Sequence, residues 1–119
     1  MEFDLKKVIV VDNAVNKEYQ DELQNLLLGN NFPWYYVQDI TDSSKTNSQK
    51  RAALCHYFIN ETEVISNYFK FIENIIVSGA ENIKLKGNVR VLLARSFLQF
   101  PLNKKTSCLD TPHRDLTKN

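Results

Sequence analysis

Near its end the chain reads Asp110-Thr111-Pro112-His113-Arg114-Asp115-Leu116. His113 and Asp115 are two positions apart. In an extended segment, residues i and i+2 project from the same face, so an imidazole nitrogen and a carboxylate oxygen would point into one space. Two such groups fill two corners of the two-histidine, one-carboxylate triad that holds Fe(II) and leaves coordination positions open. A further histidine must then come from another strand. The same spacing also describes a surface histidine beside a solvated aspartate, and spacing alone does not choose between the two.

A second motif overlaps the first. His113-Arg114-Asp115-Leu116 spells the start of a protein-kinase catalytic loop, in which an asparagine follows the aspartate by five positions. Here Asn119 follows by four. A kinase also needs a glycine-rich phosphate loop upstream. Gly29, Gly79 and Gly87 are the only glycines and form no such loop, so the kinase reading is set aside.

These residues need a scaffold, and 119 residues suffice for one domain with a modest core. Hydrophobic residues make up 43% and charged residues 24%, an ordinary globular balance rather than that of a disordered chain. The formal net charge of +1 gives no reason to expect nucleic acid or an acidic membrane as partner. The basic pairs Lys6-Lys7, Lys50-Arg51 and Lys104-Lys105 read as solvated loop ends. No apolar run approaches the ~20 residues of a membrane helix. Met1 to Lys7 carries acidic residues and lacks the apolar centre of a signal peptide, so a cytoplasmic location is expected. Cys55 and Cys108 then read as free thiols, in segments too separate for a structural zinc site.

Val8 to Val11 reads as a buried strand ended by Asp12-Asn13. Asn16 is placed to cap a helix with Glu18 in its first turn and Tyr19, Leu23, Leu26 and Leu27 along one face, stopped at Gly29. After Pro33, the aromatic stretch Trp34-Tyr35-Tyr36-Val37 favours extended backbone. These aromatics serve either as core or as a substrate wall, with core the expectation. The polar residues 42–49 read as a loop. Ala52 to Ile59 reads as a strand, after which Asn60 is expected to cap a second helix. Glu61 and Glu63 would occupy its first turn, and a stripe from Val64 through Tyr68, Ile72 and Ile76 would end at Gly79. From Ile83 the period becomes extended, Gly87 marks a turn, and Val89 to Phe100 reads as a long strand ended by Pro101. No repeat and no linker divides the chain.

Beyond spacing, several stretches resemble one family. They are Val10-Val11-Asp12-Asn13, Asn31-Phe32-Pro33-Trp34-Tyr35, His56-Tyr57-Phe58, Arg95-Ser96-Phe97-Leu98-Gln99-Phe100-Pro101 and Thr111-Pro112-His113-Arg114-Asp115. In this order they resemble the 2-oxoglutarate/Fe(II)-dependent oxygenases of the prolyl-hydroxylase-like group found in tailed phages and some bacteria. The resemblance implies an α+β fold: the N-terminal part of a double-stranded β-helix, jelly-roll or cupin-like, with two main helices packed on the sheet. It makes residues 1–119 a single, incomplete domain. Residues 1–82 would be the helical, substrate-side part, and residues 83–119 the first jelly-roll strands with the His-x-Asp motif. It further implies Fe(II) as cofactor and 2-oxoglutarate as a small-molecule co-substrate, decarboxylated to succinate as a substrate is hydroxylated. His113 and Asp115 match the first two iron ligands. Arg95 and Gln99 match polar positions on a cavity-lining strand, where they would contact co-substrate or substrate or simply close a strand end. His56 matches a histidine near the cavity mouth, and among Leu54, Tyr57 and Phe58 it serves equally as a packing residue. If the chain is phage-encoded, the compartment is the host cytoplasm.

The family places its distal histidine, and a basic residue for the 2-oxoglutarate carboxylate, on strands beyond this motif. The expectation is therefore that a second chain or a C-terminal half completes the sheet, or that a homodimer covers its open edges. Two functions follow: a dioxygenase fragment supplying the first two iron ligands, or a non-catalytic binding or assembly module on a truncated oxygenase scaffold.

Overall fold

Asn16 carries the most explicit local signal in the chain, and it acts as read. In the computed structural model, which describes residues 9–40 and 50–101, the Asn16 side-chain oxygen accepts the Tyr19 backbone N–H at 2.8 Å. This satisfies one of the orphan donors of helix α1, Lys17–Leu27. Glu18 complements the positive helix end, and Lys17 pairs with Asp21 one turn on. The helix closes at Leu28, just before Gly29. A Cβ at Gly29 would sit 2.7 Å from the Asn25 carbonyl oxygen, so only glycine fits there without a shift.

The described residues are α+β, with two helices and a small antiparallel open sheet. They divide into two compact units, residues 9–32 with 58–94, and residues 33–40 and 50–57 with 95–101. The strands are β1 (Tyr35–Val37), β2 (Ala53–Asn60), β3 (Glu63–Val64) and β4 (Ala94–Gln99). β1 runs antiparallel to β2 with Tyr35 opposite Cys55 and Val37 opposite Ala53. β3 runs antiparallel to the end of β2 with Ile59 opposite Val64. β4 also pairs with β2.

In the first unit, helix α2 spans Phe69–Asn82. The Tyr19 ring lies 5.5 Å from that of Phe71 and its hydroxyl donates to the Phe71 carbonyl. Ser78 Oγ donates to the Ala14 carbonyl at 2.7 Å. The start of α1 is thus tied to α2 at two points. Phe32 packs its ring 6.1 Å from Phe58 and 5.3 Å from Tyr68. Phe32, Phe58, Ile59 and Ile72 are buried, each stabilising by roughly 1.5–3 kcal/mol before conformational entropy is counted.

The structure departs from the sequence reading at four places. Residues 9–11 are not in a strand, and Val10 is 80% exposed. Asn60 ends β2 rather than capping a helix. Glu61 and Thr62, at φ 49° and 73°, form a two-residue hairpin into β3. Helix α2 starts only at Phe69, preceded by Ser66 Oγ accepting the Tyr68 N–H at 3.1 Å, and runs through Gly79 to Asn82. The expected strand over 89–100 contracts to β4, and residues 83–85 form no strand. Among the described residues, no helix is long and apolar enough to cross a membrane.

Candidate functional site

Arg95 and Gln99 both belong to β4. Their separation of four places them on the same strand face. Arg95 donates from its guanidinium to the Tyr57 hydroxyl at 3.1 Å. Its guanidinium carbon lies 4.8 Å from the Phe97 ring centroid and 5.7 Å from that of Tyr57. Both distances are within cation–π range, so two aromatic faces and a hydroxyl fix one planar cation. Gln99 is exposed at the far end of the strand.

Cys55 belongs to the same neighbourhood. It is buried, and burial pushes its thiol above the ordinary value of 9.0, while the Arg95 charge pulls it back down. At neutral pH it behaves as a small apolar group rather than a nucleophile.

His56 is a different case. Successive residues of β2 alternate in direction, so His56 leaves the strand on the side opposite Cys55 and Tyr57, and hence opposite Arg95. Its Nδ1 lies 2.8 Å from the Pro33 carbonyl oxygen. A carbonyl only accepts, so Nδ1 carries the proton. The ring is 5% exposed, with Tyr35 stacked at 6.5 Å. His56 therefore has the surroundings of a packing histidine and does not join Arg95 in one site. Ser96 lies next to Arg95 on β4 and so faces the other way. Its buried hydroxyl has no hydrogen-bond partner among the described residues.

The aromatic stretch after Pro33 is less buried than expected. Tyr35 and Tyr36 are 64% and 66% exposed and Trp34 is half-buried, so this stretch is not core. Tyr57 and Phe97, which hold Arg95, were not singled out from the sequence. Their signal was alternation: Arg95 and Phe97 share a face, as do Cys55 and Tyr57, but only the pairing of β2 with β4 turns that into contact.

His113 and Asp115 lie outside the described residues. Among the described residues, no group of three or more His, Cys, Asp or Glu side chains could hold a metal ion. Among the described residues, His56 has the Pro33 carbonyl and the Tyr35 ring beside it. Comparison with known proteins finds no matching family model, no matching curated relative and no matching solved structure.

Proposed function

We propose that this chain is part of a 2-oxoglutarate- and Fe(II)-dependent dioxygenase, supplying the first two iron ligands from His113 and Asp115. One observation carries the reading: an imidazole and a carboxylate stand at same-face strand spacing downstream of β4, the strand that bears Arg95. In this proposal the small open sheet belongs to a jelly roll whose remaining strands complete the barrel. When bound, the iron supplies oxidative hydroxylation coupled to decarboxylation of 2-oxoglutarate.

The chain's own residues do the rest. His113 binds as a neutral imidazole and Asp115 as a carboxylate, so acidification weakens the site once the imidazole takes a proton. Arg95, already oriented by Tyr57 and Phe97, offers a fixed positive charge toward a carboxylate of co-substrate or substrate. His56, whose Nδ1 bonds the Pro33 carbonyl, is not among the proposed iron ligands.

Anaerobic titration of the full chain with Fe(II) tests the proposal, run beside a His113→Ala variant. Binding at least about tenfold tighter in the parent supports it, since one ligand of a mononuclear site is worth at least that factor. Equal binding by the two proteins removes the iron site from these residues. The scaffold would then be a non-catalytic binding module.

A further inference from the structure

The first unit carries a second feature, built from residues other than the proposed iron ligands. A groove of about 320 Å³ lies between the start of α1 and one face of α2. Asn74, Val77, Ser78 and Glu81 line it at helical spacing i, i+3, i+4 and i+7. Val15 and Tyr19 form the facing wall. The walls are held in place, because Ser78 Oγ bonds the Ala14 carbonyl and the Tyr19 hydroxyl bonds the Phe71 carbonyl.

The polar groups in the groove divide sharply. Asn16 is spent on the α1 cap, and the Val15 carbonyl accepts Gln20 Nε2 at 2.9 Å. The side chains of Asn74 and Glu81 make no hydrogen bond or ion pair with the described residues. They stand seven residues apart on α2, about 10 Å along the axis at ~1.5 Å per residue. Val77, 48% exposed, lies between them with Val15 across. A carboxylate at one end, a carboxamide at the other and apolar surface between are complementary to one ligand chemistry. It is an extended aliphatic chain with an ammonium at one end and a second hydrogen-bonding group at the other.

We propose that this groove binds an elongated aliphatic amine, with the ammonium at Glu81, the methylenes on Val77 and Val15, and the distal polar group at Asn74. A free polyamine and the lysine side chain of a peptide share that chemistry. The volume falls at the lower end of small-ligand sites.

The test is amide chemical-shift titration of the full chain with two probes, spermidine and Nα-acetyl-lysine methylamide, with hexanoate as an anionic control of similar shape. The proposal expects saturable shifts confined to residues 14–19 and 74–81 with at least one amine and none with hexanoate. The tighter amine identifies the source. Glu81→Gln should weaken binding about tenfold, the loss of one charge-assisted hydrogen bond at an open site. It replaces an exposed side chain, so the fold is retained. Val77→Asp should weaken it too, by removing the apolar middle. Shifts scattered over every acidic surface, equal affinity in Glu81→Gln, or no saturable shift with either amine overturns the proposal.

Discussion

Replacing Tyr57 with phenylalanine removes one hydroxyl and nothing else from the grip on Arg95. That hydroxyl accepts a part-buried guanidinium N–H at 3.1 Å, so its loss should cost about 1 kcal/mol, within the ordinary range for one intramolecular hydrogen bond. Arg95→Met keeps a long side chain but also removes the cation from two ring faces at 4.8 and 5.7 Å. Each face is worth about 0.5–1 kcal/mol at a partly exposed site, so this variant should lose about 2–3 kcal/mol in total. The double variant closes a cycle with a coupling of about 1 kcal/mol, because the hydrogen bond is lost only once. Arg95→Lys keeps the charge but not the planar fork and should fall between parent and methionine variant. Urea denaturation of the parent and the four variants gives these numbers directly. A coupling near zero would mean that Tyr57 does not hold Arg95. The claim that this guanidinium is pre-oriented toward a carboxylate would fail with it.

Two further predictions concern local strain and pH. The Glu61-Thr62 turn holds two non-glycine residues at positive φ, and Thr62 is also β-branched. Glu61→Asn with Thr62→Gly should relieve about 1–2 kcal/mol of strain and forfeit about 0.5 kcal/mol from the exposed Arg90–Thr62 hydrogen bond. The net gain of about 1 kcal/mol raises the thermal midpoint by about 3–6 °C, whereas a lowered midpoint would show that Arg90 matters more than the strain. The second prediction follows from burial, which raises the Cys55 thiol and the Tyr19 hydroxyl above their ordinary values of 9.0 and 10.0. An acid held protonated by the fold contributes stability below its unfolded pKa and loses it as pH climbs through the folded value. Stability should therefore decline above about pH 9, and Cys55→Ala should lower the neutral-pH plateau yet flatten that decline. An unchanged alkaline slope in Cys55→Ala would place its cause elsewhere.

Where the sequence alone was informative, a local rule had no competitor. Asn16 three residues before Tyr19, with Glu18 between, caps α1 whatever surrounds it. The apolar and aromatic run from Ala52 to Ile59 gives β2 almost to the residue. Asn60 was misread because its neighbours satisfy two rules at once. An asparagine followed by acids suits a helix start, but the same residues close a hairpin once Val64 pairs with Ile59. Residues 89–93 look like strand by composition, yet they form no strand: the Leu92 carbonyl accepts the Thr62 N–H at 3.1 Å and Arg90 reaches the Thr62 hydroxyl before β4 begins at Ala94. Arg95 could be picked out as a polar residue in an apolar run. Its partners Tyr57 and Phe97 could not, because sequence gives the face of each strand and leaves open which strand lies beside it. The same limit separated His56 from Arg95 only after β2 and β4 were seen to pair.

Calorimetric titration of Fe(II) under anaerobic conditions into the parent chain and the variants His113→Ala, Asp115→Ala and His56→Ala bears most directly on the iron proposal. The first two variants should each bind at least about tenfold more weakly, while His56→Ala binds as the parent does. Weakened binding in His56→Ala alone, with His113→Ala and Asp115→Ala indistinguishable from the parent, would contradict it.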